Sequence, residues 1–444
     1  MKGQWSSRLY FYITATIALL LLFAGCAVNP VTNEREFSLM SEAQEIEAGR
    51  KAYPLYTQKS GGQYLDDGLQ GYVSEVGRKI AAVSHRPGLT YSFNLVNDDN
   101  INAYALPGGN ISITRGLLAK LSNESQLAAV LAHEIGHVTA RHGAQGYTRQ
   151  VLAGVLSTAG IAAMEAADVN GREIIAGGGL LGMQLVLTSY SRDQERQADK
   201  LGTEYMVAAG YDPRGMVEVM EVLDSARKGS PSTIEQMFSS HPLTSDRLEA
   251  AKRRTDSYPD RFKTIERLGR EPFEEETLKL KDDAPAFDKV AEGKKLINDG
   301  KDSKGLELIR EGAKSAPSHA ILHATLASAE LQVGDEKRAA EAAARSVELD
   351  PGLFQARYVR GLAEFKLDEY DKSIKELGAA DEIVPGQPSV AFFIGRNHEE
   401  EGNREAAAKA FSEVLSKVKK GEMAEYSKKR LLEWGYIKGD PAKQ

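Results

Sequence analysis

Apolar residues at Leu127, Val130, Leu131, Ile135 and Val138 recur at helical spacing through LAAVLAHEIGHVTARH, Leu127–His142. That period predicts a buried amphipathic helix, with Asn123 as its N-cap and Gln126 as the capping-box partner. Upstream the same spacing predicts helices over Ser41–Tyr56 and Leu65–Val83, the second with Leu69, Tyr72, Val73, Val76 and Ile80 on one face. Tyr91–Val96 alternates as a strand, and Ile111–Thr114 alternates again after the turn Pro107-Gly108-Gly109-Asn110. Downstream, Ala198, Leu201, Tyr205, Met206 and Ala209 mark a further amphipathic helix that ends at Gly210. Asp212 as cap and Pro213 at the first position then open the next one.

Beyond residue 285 the pattern becomes periodic. Pro317, Pro351 and Pro385 stand 34 residues apart, and two columns of small residues share that period: Gly293, Ala327, Gly361 and Gly395, then Gly305, Ala339, Ser373 and Ala407. Gly300, Gly334, Asp368 and Gly402 fall at the turn between paired helices. A 34-residue helix–turn–helix period with small residues where helices approach closely is the tetratricopeptide signature. It predicts four repeats over 286–421, and a final helix at Glu422–Trp434 within a terminal segment 422–444. Such arrays bind segments of other proteins on a concave surface; a rigid spacer, or a clamp on the catalytic domain itself, is the alternative. Thr255–Pro285 is charged, carries Pro259, Pro272 and Pro285, and reads as a linker or connecting helices. His319, His323 and His398 lie in this region without a matching ligand set and read as structural.

Composition narrows the classes. A chain of 444 residues with 42% hydrophobic and 27% charged positions is globular, with room for two or three domains. Its 56 basic and 63 acidic residues give a net charge of −7, which argues against a general nucleic-acid binder. The single cysteine, Cys26, excludes an internal disulfide framework and a Cys-rich zinc site. Lys2 and Arg8, the largely apolar run Leu9–Ala24 and the small residues before Cys26 read as a bacterial export signal. Phe23-Ala24-Gly25-Cys26 resembles the lipobox of bacterial lipoproteins, with Phe23 where that box usually has Leu. The resemblance implies residues 1–26 as signal and lipidation site and 27–41 as a tether. With Ala27 rather than Asp after the cysteine, it implies an outer-membrane lipid anchor facing the periplasm of a Gram-negative bacterium. An uncleaved signal anchor is the alternative, against which a run of about 16 residues is short for spanning.

Within the first predicted helix His133, Glu134 and His137 form H-E-x-x-H. The two histidines lie one turn apart on one face and can reach a single ion. Glu134 is turned about 100° from His133, beside the ion, where a base for an activated water must stand. A third ligand is needed. His142 lies nine residues after His133, whereas H-E-x-x-H-x-x-G-x-x-H needs ten and a glycine where Ala140 stands. It also points about 140° from the face of His137, so a supporting or structural role fits it better. Glu195 is the better candidate, four residues before Asp199 on one helical face. Such a pair lets the glutamate bind zinc while the aspartate supports a ligand histidine, although an acidic i,i+4 pair alone is ordinarily solvated surface.

HEIGHVTARH followed by SRDQERQAD resembles the M48 family of zinc peptidases, whose helices carry HExxH and then ExxxD. The resemblance implies one Zn2+ per chain held by His133, His137 and Glu195, with Glu134 as general base and Asp199 as supporting carboxylate or proton donor. NAYALPGGNISITRGLL and Ser240-His241-Pro242 with Arg247 extend it across Glu42–Arg254. For His241 it implies a donor to the oxyanion of the reaction, or an extra metal ligand that holds the site latent; capping the helix that Pro242 opens is the alternative. Arg247 then clamps substrate or a nearby carboxylate. A strand just before a metal helix can edge the cleft, where an extended peptide adds as another strand. Asn102, Ala103 and Gly109 are the substrate-binding candidates there, and an ordinary hairpin is the alternative. The long stretch Val151–Thr188, with Gly177-Gly178-Gly179, reads as a lid over the cleft, a segment that dips into a membrane surface, or a packed helical hairpin.

The expected fold is therefore mainly α: a helical zincin-like metallopeptidase domain with a small β-sheet over 42–254, a linker over 255–285, and a tetratricopeptide solenoid. Similar proteins that join an M48 domain to such repeats act in envelope quality control. The resemblance implies a lipid-anchored periplasmic endopeptidase that cleaves misfolded or misassembled envelope proteins. Its repeats would recruit protein substrates or partners, including outer-membrane assembly machinery. The rival is an assembly chaperone or adaptor with marginal proteolysis. An integral-membrane peptidase has only one spanning candidate in the chain.

Overall fold

A computed structural model describes residues 26–164, 189–229 and 231–438. Contacts divide the chain into two units, Met1–Tyr53 with Asp66–Thr277 and Pro54–Leu65 with Leu278–Gln444. In the first, α1 (Glu42–Lys59, up to Tyr53) and α2 (Asp67–Ala81) precede three strands, β3 (Ser92–Val96), β4 (Ala103–Leu106) and β5 (Asn110–Thr114). The short α3 (Arg115–Leu118) leads to α4 (Glu124–Thr139) and α5 (His142–Met164); α6 (Arg192–Ala208), α7 (Arg214–Gly229), α8 (Pro231–Ser240) and α9 (Ser245–Ser257) follow.

Helix α4 runs through the middle of this unit, and every residue from Ser125 to Thr139 is buried. A helix covered on all faces is apolar all round rather than amphipathic, so the one-sided stripe expected from the sequence is only part of its apolar surface. Asn123 caps it by accepting from Gln126 N at 2.9 Å. The Gln126 side chain instead accepts from Ser122 N at 2.8 Å, one residue before the cap, so the capping box is not reciprocal. At the other end Arg86 donates to Val138 O at 2.8 Å, and Arg86 and Arg141 share the buried Glu45 at 3.2 and 2.9 Å. Two glycines set the crossing of α4 with α6. A Cβ on Gly136 would stand 3.0 Å from Ala198 O, and one on Gly202 would stand 3.0 Å from His133 N.

The sheet order is β3-β5-β4, parallel between β3 and β5 and antiparallel between β5 and β4. The strand expected at the cleft edge, Ile111–Thr114, is thus the central one and pairs on both sides, so no peptide strand can add to it. The outer β4 has all four residues buried. Residues 27–41 are not a free tether. Strands β1 (Cys26–Val28) and β2 (Arg35–Phe37) pair antiparallel; the buried Asn29 bonds Glu36 at 2.8 Å, and Leu39 N donates to Thr148 Oγ1 at 3.0 Å. Of the two readings of 255–285, a linker or connecting helices, the structure displays the helices. A 3-10 turn (Asp260–Phe262), α10 (Ile265–Leu268) and α11 (Arg270–Asn298) occupy it. Within the first unit Ser125 Oγ donates to Arg267 O at 2.6 Å, and Phe273 is fully buried. Pro285 lies inside α11 rather than ending it.

The second unit is a stack of paired helices: the later part of α11 with α12 (Asp302–Ser315), α13 (Ala320–Gln332) with α14 (Glu336–Leu349), α15 (Phe354–Lys366) with α16 (Tyr370–Ile383), and α17 (Pro388–Glu400) with α18 (Arg404–Lys417), then α19 (Glu422–Glu433). Helices α13, α15 and α17 begin 34 residues apart, as the period predicts. Gly300, Gly334, Asp368 and Gly402 all hold positive φ at the turns, the conformation in which glycine is favoured. The small columns lie where paired helices touch: a Cβ on Gly361 would stand 2.7 Å from Leu377, and one on Gly395 would stand 2.6 Å from Phe411. The segment Pro54–Leu65 belongs to this unit. Gln58 bonds Gly352 O and Phe354 N, both at 2.9 Å, and the buried Tyr64 ring lies 5.4 Å from His319. Among the described residues no helix is long and apolar enough to cross a membrane. The export signal lies outside the described residues, as does 165–188 of the stretch read as a lid; its first part, to Met164, is helix α5.

Candidate metal centre

Helix α4 presents His133 and His137 on one face, with Nε2 atoms 3.1 Å apart. Helix α6 begins at a closed capping box, Ser191 with Gln194, which places Glu195 in its first turn and Asp199 one turn on. The glycine-lined crossing lays these carboxylates onto the histidines. Glu195 Oε1 stands 3.3 Å from His137 Nε2, and Oε2 stands 3.6 Å from His133 Nε2. The segment after α8 adds His241, whose Nδ1 lies 3.0 Å from Glu195 and 3.3 Å from His133 Nε2. One ligand atom from each of His133, His137, Glu195 and His241 falls within 4.8 Å of the others, and all four residues are buried.

The outer rings of hydrogen bonds settle which nitrogen His133 and His137 offer. Asp199 Oδ1 accepts from His133 Nδ1 at 3.0 Å, leaving Nε2 with its lone pair toward the cluster. His137 Nδ1 lies 2.9 Å from His142 Nδ1, and His142 Nε2 lies 2.9 Å from Gln197 Oε1. The carbonyl oxygen can only accept. A neutral His142 therefore donates from Nε2 to Gln197 and accepts from His137 Nδ1, which again leaves His137 Nε2 free to ligate. Burial pushes His142 down to about 4, so it is neutral at physiological pH as this chain of bonds requires. Burial also holds His137 well below its ordinary value. Burial opposes ionisation of Asp199, but the Arg247 and His133 hydrogen bonds outweigh it and hold the carboxyl below its usual range.

Arg247 grips Asp199 with Nε and Nη2, each at 2.8 Å, and its Nη1 pairs with Glu195 at 2.5 Å. Of the two roles read from the sequence, the carboxylate clamp is the one its geometry displays. Glu134 is 1% exposed, and its Oε2 has no hydrogen-bond partner among the described residues. A buried carboxylate oxygen left unpaired beside four converging donors is costly unless it serves chemistry. Two histidines and a glutamate are the donor set of a catalytic zinc site, so the residues present fit that ion.

Asn102, Ala103 and Gly109 are not drawn into the cluster. The Asn102 backbone is bonded to Thr114 through both N and O at 3.0 Å, Ala103 is fully buried in β4, and Gly109 holds φ +101° in the hairpin turn against Tyr91. Two features escaped the sequence. Tyr190 stacks on His137 with centroids 3.8 Å apart, while its N donates to Ser240 O at 3.1 Å. It directly precedes the Ser191 cap, but the N4 residue that a hydrophobic staple would pair with it is Glu195, so no local pattern singles it out. The other is an apolar cavity beside Glu134, lined by Met216, Val219, Met220, Leu223 and Met237.

Residues 68–255 match Peptidase family M48. The chain is 33% identical over 192 residues to the beta-barrel assembly-enhancing protease of Yersinia pestis, covering 42% of this chain and 39% of that protein. It is 33% identical over 268 residues to the putative beta-barrel assembly-enhancing protease of Vibrio cholerae, covering 56% and 54%. The mitochondrial metalloendopeptidase OMA1 of Schizosaccharomyces pombe is 32% identical over 223 residues, covering 49% and 63%. The chain therefore spans less than two thirds of the length of each of these relatives. Residues 68–255, which carry all four converging donors, are a peptidase family M48 domain, a domain of the zinc metallopeptidase kind.

Proposed function

We propose that this protein is a zinc-dependent endopeptidase of the bacterial periplasm, lipid-anchored through Cys26, which hydrolyses peptide bonds in misfolded or misassembled envelope proteins. The observation that carries the activity is the convergence of His133, His137 and Glu195 beside Glu134, whose Oε2 has no hydrogen-bond partner among the described residues. The similarity to assembly-enhancing proteases supports the envelope setting, and the lipobox-like residues around Cys26 support the anchor. The repeats recruit protein substrates or partners.

His133 Nε2, His137 Nε2 and a Glu195 oxygen would hold the ion. Bound Zn2+ supplies a Lewis acid that polarises a carbonyl and lowers the pKa of water toward ~7. Glu134 Oε2 accepts the proton of the attacking water and passes it to the leaving amine. Asp199 keeps the His133 tautomer fixed, and Arg247 keeps Asp199 ionised and orients both Asp199 and Glu195. His241 either donates to the developing oxyanion or occupies the site as a fourth donor.

That last alternative favours a second reading, an assembly chaperone or adaptor whose proteolysis is latent, because His241 Nδ1 already lies among the ligand atoms. The experiment is zinc content and casein cleavage by residues 27–444, beside Glu134→Gln. Stoichiometric zinc is expected, with cleavage lowered about a thousandfold or more in the variant. Retained cleavage in Glu134→Gln would sink the mechanism. Zinc without cleavage in either protein, relieved in His241→Ala, would establish the latched state. A folded chain without zinc would leave the adaptor.

A further inference from the structure

The β1–β2 hairpin turns its polar side inward. Successive residues of a strand alternate faces, so Asn29 and Glu36 share one face while Val28, Arg35 and Phe37 share the other, Val28 standing opposite Arg35. On the inner face Asn29, 2% exposed, donates to Glu36 at 2.8 Å and to Ala140 O at 3.4 Å, and Gln145 donates to Glu36 at 2.8 Å. Just beyond, Leu39 N donates to Thr148 Oγ1 at 3.0 Å and Arg141 to Met40 O at 2.9 Å. These bonds clamp the hairpin to the C-terminal end of the metal helix α4 and to the start of α5. The outer face is the apolar one. Val28 is 53% exposed, and Phe37, the register partner of Cys26, is partly exposed. Arg35, exposed beside Val28, makes no ion pair among the described residues. A ribbon bathed in water ordinarily turns its apolar face to the core. Here the order is reversed, and it is reversed at the residue read as the lipid carrier.

We infer that the outer face of this hairpin is a membrane-docking surface, which seats the peptidase unit on the leaflet holding its lipid and restricts cleavage to protein segments close to that leaflet. The inference rests on the proposed anchor at Cys26 and extends it, because a lipid alone ties a chain to a membrane without setting its orientation or its height. Val28 and Phe37 enter the headgroup boundary beside the acyl chains, and Arg35 lays its stem along them and reaches the lipid phosphates. Height follows from the lack of slack. Asn29 follows Cys26 by three residues, at most about 11 Å of extended chain. Asn29 holds Ala140 O, and His137 and His133 lie about 5 and 11 Å back along α4 at 1.5 Å per residue. The metal cluster therefore stands within about 30 Å of the bilayer surface. A membrane protein left partly inserted presents its extended segments at that height, whereas a protein held farther out does not.

Docking is tested apart from cleavage, with the full chain processed and lipidated in its membrane and reconstituted on vesicles of phosphatidylethanolamine and phosphatidylglycerol. Cys26 is the only cysteine, so once it carries lipid a bimane can be placed alone at Val28→Cys or Phe37→Cys. Brominated lipids quench both bimanes. Adding Val28→Glu to the Phe37→Cys chain, or Arg35→Glu if that variant does not fold, lowers the quenching by about half or more and leaves cleavage of casein in solution unchanged. Unquenched bimanes on a lipidated chain overturn the docking surface. Bimanes shielded in detergent, increasingly so at higher protein concentration, assign the face to a second copy and overturn it as well. Cys26 found by mass spectrometry without lipid overturns the anchored reading, and the docking with it. Height is read from lipid-linked polypeptides that carry a casein sequence behind rigid proline-rich spacers of increasing length. Sequences beyond about 30 Å are cut at least about tenfold more slowly than those near the leaflet, and a flexible Gly/Ser insert of about 20 residues after Cys26 removes most of the difference. Equal rates without the insert overturn the height limit. A docked chain that cuts nothing keeps the docking surface and overturns the peptidase reading instead.

Discussion

His137 is held by two neighbours: Tyr190 stacks on its ring and His142 accepts a hydrogen bond from its Nδ1, while Gln197 fixes His142 in turn. Partners of this kind fix a ligand's tautomer, and losing one typically weakens a metal site by about 10–100-fold. His142→Phe and Asp199→Asn are each expected to lower zinc affinity by about that factor, read by competition with a chromogenic chelator. Excess zinc should restore most of the casein cleavage lost in His142→Phe. At this scale the sequence was informative where partners share a helix, as His133 with His137 and Glu195 with Asp199. His241 reaches His133 across 108 residues of chain, and no local period reports such a meeting. The family resemblance supplied it as a candidate, with its role left open. Asn102, Ala103 and Gly109 were legible only as a strand and turn, and their place in the sheet depends on which strand ended up central.

Between elements, the crossing of α4 over α6 sets the distance from histidines to carboxylates. At Gly136 and Gly202 a methyl group would stand only 3.0 Å from backbone atoms of the facing helix, so the helices would have to part by a few tenths of an ångström. Overpacking of such a contact costs about 1–3 kcal/mol. Gly136→Ala and Gly202→Ala are each expected to lower unfolding free energy by that amount in denaturant titrations, and to weaken zinc binding because α6 carries Glu195 away from His137. A stabilised variant with unchanged affinity would show that the helices can yield. Helix positions and the 34-residue repeat were readable from periodicity. The reading failed where punctuation outweighed packing. Pro285 suggested a boundary, yet α11 continues through it, with Phe273 buried in the first unit and Ala286 and Phe287 in the second. The polar segment 27–41 looked like a tether because its hold on the body comes from hydrogen bonds such as Asn29 to Ala140 O rather than from an apolar stripe.

At the scale of the whole chain, the repeat array is incomplete without residues from far upstream. Pro54–Leu65 supplies the buried Tyr64 beside His319, and Gln58 closes hydrogen bonds with Gly352 and Phe354. A fragment covering 278–438 is expected to melt lower than the same repeats in the full chain, and a synthetic peptide of residues 54–65 should raise its midpoint in a concentration-dependent way. Tyr64→Ala in that peptide should abolish the gain; an equal gain from the altered peptide would assign it to something other than Tyr64. Segment 54–65 also puts the chain's own synthesis under a constraint. A polypeptide emerging from its N-terminus delivers this piece first, finishes the peptidase unit at Thr277, and only then makes the helices that receive it. Phe354 follows Gln58 by 296 residues, and contacts that close such long loops form late and slowly. During that interval the chain holds a finished metal-cluster unit and an unfinished repeat unit, so the order of manufacture completes the ligand set ahead of the repeat array.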